Sequence, residues 1–326
     1  MTDPVLDIRG LSVDYRTPRG RLRALRDVNL TVPRGKIVGL VGESGCGKST
    51  LIAAVIRLLA PNAEVVAGAV EFEGRDLLGL SARAMRDLRG RAISMVFQDP
   101  MTTHNPVLSI SRQMVDIQYR DKIPLAEKRK RAAAMLAQVG IPDPETRLAN
   151  FPHEFSGGMR QRIAIAMALM AEPTLLIADE PTTALDATLE VQIIHRLKAL
   201  QEQLHCSILF ISHHLGVIAE LCDEVVVMYA GEVVEQGSVR DIFHHASHPY
   251  ARKLLACDPG RIAERTRNLP TIPGEIPDLV ALPQGCIFRE RCPEAFDRCA
   301  AERPAWRESG PGHHALCHLL EREAAS

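Results

Sequence analysis

No run of about 18 apolar residues occurs anywhere in this chain, so no segment reads as a membrane-spanning helix. One apolar stretch, Ile163 to Ala171, is stopped by Glu172 and Pro173. Excess charge is missing too: the formal net charge is −1, which argues against non-specific nucleic-acid binding. The N-terminal Met1-Thr2-Asp3-Pro4 lacks a signal-peptide pattern, which predicts a cytoplasmic protein. In that compartment the eight cysteines are not expected to form disulfides, yet four of them fall after residue 285. Internal repeats and low-complexity tracts are also absent. What is present is 326 residues, 46% of them hydrophobic, enough for one large domain or two ordinary ones.

The most informative stretch is Gly42-Glu43-Ser44-Gly45-Cys46-Gly47-Lys48-Ser49-Thr50, a complete G-x-x-x-x-G-K-[ST] phosphate loop. Its context fits, because the apolar run Ile37–Val41 reads as a buried strand and Leu51–Leu59 as a helix. Glycines allow the backbone to wrap close to phosphate oxygens, and the helix N-terminus adds partial positive charge. Lys48 is placed to reach the β- and γ-phosphates, and the Ser49 hydroxyl to ligate Mg²⁺.

Residues 5–15 alternate and predict an edge strand ending at Tyr15; Val28–Val32 and Ala69–Phe72 predict further strands. Ser81 predicts a helix cap, and Ile93–Phe97 a strand ending at Gln98. From Asp99 to about Glu154 strand patterns vanish in favour of helices. The basic run Lys128–Arg131 reads as a solvated helix face. Beyond it, helices alternate with strands at Leu175–Ala178, Ile208–Ile211, Val225–Met228 and Glu232–Val234. That alternation predicts a largely parallel sheet covered on both faces. After about Ala246 the pattern breaks, and residues 257–313 read as a separate appendage rich in Pro, Gly, Arg and Cys.

Two further motifs carry chemistry. Leu175–Glu180 is an apolar strand ending in two carboxylates, Asp179 placed for Mg²⁺ and Glu180 to polarise an attacking water. Phe155-Ser156-Gly157-Gly158-Met159-Arg160-Gln161 opens a helix, and its serine and glycines form a second anion-binding nest. One phosphate loop and two phosphate sites per chain imply a dimer in which each nest caps the partner's nucleotide.

Together these motifs resemble an ATP-binding-cassette (ABC) ATPase over roughly the first 250 residues. The resemblance implies an α/β, ABC-type P-loop NTPase fold: a RecA-like parallel sheet core, an antiparallel β subdomain, and a helical subdomain at about 99–165. It implies roles residue by residue: Tyr15 stacks on adenine, and the loop Gly42, Ser44, Gly45, Cys46, Gly47, Lys48, Ser49 and Thr50 cradles ATP. Ser49, Gln98 and Asp179 serve Mg²⁺, Gln98 senses the γ-phosphate, Glu180 is the base and His213 the switch histidine. Ser156, Gly157 and Gly158 form the signature, with Phe155 and Met159 departing from the usual Leu-Ser-Gly-Gly-Gln, and Thr183–Asp186 form the D-loop. His214 occupies a position often held by Asp. Phe97-Gln98-Asp99-Pro100-Met101, the Phe155–Arg162 stretch, His248-Pro249-Tyr250-Ala251-Arg252 and Pro273-Gly274-Glu275-Ile276-Pro277 narrow the resemblance. They point to ATPase subunits of bacterial oligopeptide and dipeptide importers, with residues 1–250 as the ATPase domain and 251–326 as a small irregular, Cys-rich extension. Thr102-Thr103-His104-Asn105-Pro106 departs from that group near the surface expected to touch the membrane partner.

The implied partners are a second cassette, usually a paralogue, two transmembrane permease subunits and, indirectly, an extracytoplasmic substrate-binding protein, with no nucleic acid. The implied location is the cytoplasmic face of the plasma membrane. Nickel chelates or glutathione are alternative cargoes, and a soluble, non-transport ABC ATPase is an alternative role. The remaining constellation is Cys286, Cys292, Cys299 and Cys317. Four thiolates suit iron–sulfur or zinc, but the spacing has neither paired C-x2-C knuckles nor a ferredoxin run. The importer resemblance implies a [4Fe–4S] cluster on these cysteines. His313, His314 and His318 are alternative ligands beside these cysteines but read as solvent-facing, and Trp306 reads as the core anchor of the appendage.

Overall fold

The structure is a computed structural model describing residues 3–99, 103–182, 187–258, 260 and 270–324. Its first four strands are β1 (Leu6–Thr17), β2 (Gly20–Val32), β3 (Ile37–Val41) and β4 (Ala63–Phe72), followed by the short β5 (Arg75–Asp76). β1, β2, β4 and β5 form an antiparallel sheet in the order β2-β1-β4-β5. β1 is therefore an interior strand, hydrogen-bonded on both sides, and not the edge its sequence suggested. Alternation reports which face is buried; it carries no information on how many ladder partners a strand has.

The second sheet adds β6 (Ile93–Val96), β7 (Leu175–Asp179), β8 (Ser207–Ile211), β9 (Glu224–Tyr229), β10 (Glu232–Ser238), β11 (Trp306–Gly310) and β12 (His313–Leu316). Its order is β11-β12-β10-β9-β3-β8-β7-β6, parallel from β9 through β6. β3 and β8 are buried at every position, as strands covered on both faces must be. On one face the antiparallel sheet and the helix Lys48–Val55 enclose an apolar core that includes Leu6, Leu30, Leu40, Leu51 and Phe72. The opposite core joins helices to the tail, with Ile163, Phe210, Tyr250, Phe288 and Cys299 among its members.

Between β6 and β7 the chain is helical, with segments Ile110–Ile117, Leu125–Gln138, Pro144–Arg147 and Gly157–Leu169. Ser109 caps the first by accepting from the Arg112 N–H at 3.3 Å. Leu125–Gln138 buries Ala132, Met135 and Leu136 and leaves Arg129 to Arg131 exposed, so the basic run is a solvated face.

The tail is less irregular and less separate than its composition suggests. β12 pairs antiparallel with β10, matching Glu235 with Ala315 and Gln236 with His314, and β11 pairs with β12. The tail thus extends the cassette's own sheet. Trp306 packs against the cassette core rather than anchoring a core of the tail's own. His313 and His318 are buried rather than solvent-facing, and His314 is half-buried. His313 Nε2 meets Glu235 Oε1 at 2.7 Å, and His318 Nε2 donates to the Glu302 carbonyl at 2.9 Å. A strand pairing across the sheet determines these environments, and no local pattern announces it.

Candidate nucleotide site

β3 delivers the chain to the phosphate loop, and the helix Lys48–Val55 carries it away. The loop depends on glycine at two crowded points. Gly42 has φ +151°, and a Cβ there would lie 2.2 Å from the Met228 carbonyl oxygen. Gly47 has φ +107°, and a Cβ would meet Leu25 Cδ2 at 2.8 Å and the Ala24 carbonyl at 2.9 Å. Lys48 Nζ donates to the Gly42 carbonyl at 2.6 Å and the Glu43 carbonyl at 3.2 Å, so the cation is held over the loop's mouth. Thr50 Oγ1 lies 3.4 Å from the Tyr15 hydroxyl, which brings the half-buried Tyr15 to the same helix start. Cys46 is buried 3.6 Å from Lys48 Nζ, and burial pushes its thiol pKa up.

A cavity of about 440 Å³ opens beside the loop, and Gly42, Glu43, Ser44, Lys48, Gln98, Glu180 and His213 line it. Strand ends bring these residues together: Gln98 follows β6, Glu180 follows β7 and His213 follows β8. Gln98 Nε2 donates to Glu180 Oε2 at 2.9 Å, and His213 Nδ1 lies 3.3 Å from the same oxygen. Glu180 has φ +48°, a costly conformation for a residue with a Cβ, and its N–H donates to the Ile211 carbonyl at 2.9 Å. Asp179, half-buried beside it, has its pKa raised by burial and by the neighbouring Glu180, while Lys48 opposes the shift. Of the residues expected to serve Mg²⁺, Gln98 lines the cavity while Ser49 and Asp179 are absent from its lining; each carries an oxygen of the kind that a hard divalent cation takes. His214 turns away, with Nδ1 3.1 Å from Glu190 Oε1.

Ser156 caps the helix Gly157–Leu169 by accepting from the Met159 N–H at 3.3 Å. Ser156, Gly157 and Gly158 are absent from the lining of the phosphate cavity. Within one chain, therefore, the two anion-binding motifs do not enclose a common space. The D-loop residues Thr183–Asp186 lie outside the described residues. Motif reading missed Glu43, a residue of the cavity lining whose carboxylate is gripped by Arg291 of the tail at 2.8 and 3.0 Å. The available signal was an acidic side chain inside a loop built for anions, which calls for a cation nearby.

The four tail cysteines are neighbours. The Cys286 N–H donates to the Cys299 carbonyl at 2.9 Å, and burial raises the Cys286 pKa to about 11 and that of Cys317 to about 12. Among the described residues, however, no three or more His, Cys, Asp or Glu side chains are gathered as a metal ion would require. The donor chemistry suits a cluster; the spacing of these side chains does not.

Residues 25–183 match the ABC transporter family, and residues 234–299 match the C-terminal region of oligopeptide/dipeptide transporters. The chain belongs to the ABC transporter ATPases, enzymes that couple ATP hydrolysis to transport. Within them it falls among the ATP-binding subunits that carry the oligopeptide/dipeptide-type C-terminal region. It is 48% identical over 317 residues to the probable peptide ABC transporter ATP-binding protein y4tR of Sinorhizobium fredii, covering 97% of this chain and 95% of that one. It is 43% identical to the oligopeptide transport ATP-binding protein OppD of Bacillus subtilis, covering 98% and 90% of the two chains. In structure it resembles the ATP-binding cassette MJ0796, a dimer in a post-hydrolysis state bound to ADP and Pi, with a TM-score of 0.65 at 27% identity over 72% of this chain and 99% of that one. CbiO1 of Clostridium perfringens, part of the CbiONQ transporter complex, matches with a TM-score of 0.65 at 30% identity, covering 74% and 92%.

Proposed function

We propose that this ATPase powers import of di- or oligopeptides, with ATP held between the phosphate loop of one cassette and the Ser156-Gly157-Gly158 nest of another. The observation that carries the two-chain site is the phosphate cavity, whose lining lacks the nest of its own chain. In this reading the loop amides and Lys48 bind the β- and γ-phosphates. Glu180 accepts a proton from the attacking water, and Gln98 and His213, both at its Oε2, orient that carboxylate. Bound Mg²⁺ supplies charge neutralisation at the phosphates, and Ser49, Gln98 and Asp179 are the residues to hold it. Tyr15 stacks on the adenine. The γ-phosphate, touched from both chains only when they close, supplies the differential contact that drives closure.

Residues 1–250 form the ATPase unit and 251–326 an extension, and the second cassette is a paralogue of this chain. Two permease subunits dock at a groove of about 620 Å³ whose lining includes Leu58, Phe97, Leu108, Ile117, Tyr119 and Met167. Leu58, Phe97 and Tyr119 are exposed there, at 54%, 46% and 70%, an apolar surface suited to burial against helices on the cytoplasmic face of the membrane. Four thiols as donors support a [4Fe–4S] cluster on Cys286, Cys292, Cys299 and Cys317; their arrangement speaks against it. Iron analysis and visible absorption after anaerobic purification decide that point.

The functional test is ATP hydrolysis by the complex reconstituted in liposomes with its permeases and binding protein. Peptide-loaded binding protein is expected to stimulate hydrolysis, and Glu180→Gln to cut turnover by about two to four orders of magnitude while ATP still binds. Wild-type-like turnover by that variant overturns the role of Glu180; stimulation by a nickel chelate or glutathione but not by peptides overturns the cargo.

A further inference from the structure

The buried guanidinium of Arg291 bridges tail and phosphate loop. Arg291 is 7% exposed, and every nitrogen of its head is engaged. Nη1 and Nη2 donate to Glu43 Oε2 and Oε1 at 2.8 and 3.0 Å, a two-pronged grip on a carboxylate inside the loop. Nε donates to the Pro273 carbonyl at 2.9 Å, and Nη2 also to the Ile272 carbonyl at 3.0 Å. The guanidinium carbon lies 5.6 Å from the centre of the Tyr229 ring, at the end of β9. Glu43 is held from its backbone too: its N–H donates to the Tyr250 hydroxyl at 2.9 Å, and its carbonyl accepts from Lys48 Nζ at 3.2 Å.

We propose that Arg291 is a positioning residue of the ATP site, holding the Glu43 carboxylate neutralised and turned away from the triphosphate. Two physical effects follow. Without Arg291, an unpaired negative charge is left on a residue of the cavity that receives ATP, and like charges there oppose binding. The carboxylate also becomes free to compete with the phosphates for Lys48, whose Nζ already lies on the Glu43 carbonyl. Arginine suits this task because its planar fork satisfies the carboxylate and two backbone carbonyls at once; lysine presents a single point charge. The tail is thereby a structural part of the nucleotide site.

This inference rests on residues 42–50 being the ATP-binding loop. The test is calorimetric binding of ATP and of AMP, each with Mg²⁺, to the full-length chain and to Arg291→Ala, Arg291→Lys and Arg291→Ala/Glu43→Gln, with thermal unfolding confirming that each is folded. Arg291→Ala is expected to weaken ATP binding about tenfold and AMP binding by less than half as much on a logarithmic scale, because the repulsion acts on the phosphates. The double variant, which removes the stranded charge, is expected to recover ATP affinity to within about threefold of wild type. Arg291→Lys, the variant to rely on if the alanine protein does not fold, is expected to fall between. Unchanged ATP affinity in both single variants overturns the proposal. So does an equal loss for ATP and AMP, or a loss that the double variant does not repair, since either marks damage to the fold. A wild-type chain that binds no ATP overturns the assignment of the loop itself.

Discussion

Replacing Glu235 tests how firmly the tail is tied to the cassette. Glu235 is on β10, fully buried, and accepts from three donors: the Ser247 N–H at 2.7 Å, His313 Nε2 at 2.7 Å and the His248 N–H at 2.9 Å. Two of these are backbone groups leading into the helix Pro249–Ala256; the third belongs to the tail strand β12. Glutamine keeps one oxygen and replaces the other with an NH₂ group. Whichever way its amide is flipped, a donor then faces a backbone N–H, either that of buried His248 or that of half-buried Ser247. An unsatisfied buried donor costs about 1–3 kcal/mol, so about 2 kcal/mol is expected for Glu235→Gln. Alanine strands all three donors, and about 3–5 kcal/mol is expected. Urea unfolding read by circular dichroism gives the free energies. Fluorescence of Trp306, the chain's single tryptophan, sits on the tail strand β11 and reports tail release separately. Both variants are expected to lose the fluorescence transition at lower urea than wild type. An alanine variant as stable as wild type, or one less harmed than the glutamine variant, refutes the donor accounting.

Two other expectations follow from the same structure. Gly42→Ala should abolish ATP binding and lower the melting temperature, because its Cβ would lie 2.2 Å from a main-chain oxygen. Gly45→Ala, at φ +81° with no atom within 4 Å of its added Cβ, should cost only about 1 kcal/mol of backbone strain; similar melting temperatures for the two would refute the crowding argument. His248 is buried, and burial, aided by Arg252, lowers its pKa from the ordinary value of 6.5 to about 3. The unfolded chain therefore binds the extra proton first, so the contribution of neutral His248 is full above pH 6.5 and falls away as pH drops toward 3. His248 Nδ1 accepts from the Tyr250 N–H at 3.0 Å, a capping bond that asparagine can replace without titrating. His248→Asn should flatten the loss of stability across that window, and an unchanged pH profile would refute the assignment.

The nucleotide-binding half was legible because its signals are local. A phosphate loop, a strand ending in Asp179-Glu180 and a Ser-Gly-Gly cap each announce themselves within ten residues. The strand ends then converge because parallel strands of one sheet deliver their C-termini to one edge. The tail was not legible for the opposite reason. Its place is set by β12 pairing with β10 and by Arg291 reaching Glu43 across 248 residues of sequence. Its composition, rich in Pro, Gly and Cys, resembles that of a detached module. His313 illustrates the difference: a polar residue beside another histidine near the chain's end reads as exposed, until Glu235 is found opposite it.

The added pair β12 and β11 has a consequence for handling the protein. Among the described residues, β10 has β9 on one side and β12 on the other. A chain cut after the cassette would leave β10 with open hydrogen-bonding groups along one border, beside the apolar Val233 and Val234. Such a border is a template for strands of other molecules. The intact tail instead ends the sheet on β11, where Arg307, Glu308 and Ser309 face water and discourage further pairing. Truncated forms should precipitate or form strand-linked oligomers, so the tail also acts as a built-in guard against self-association.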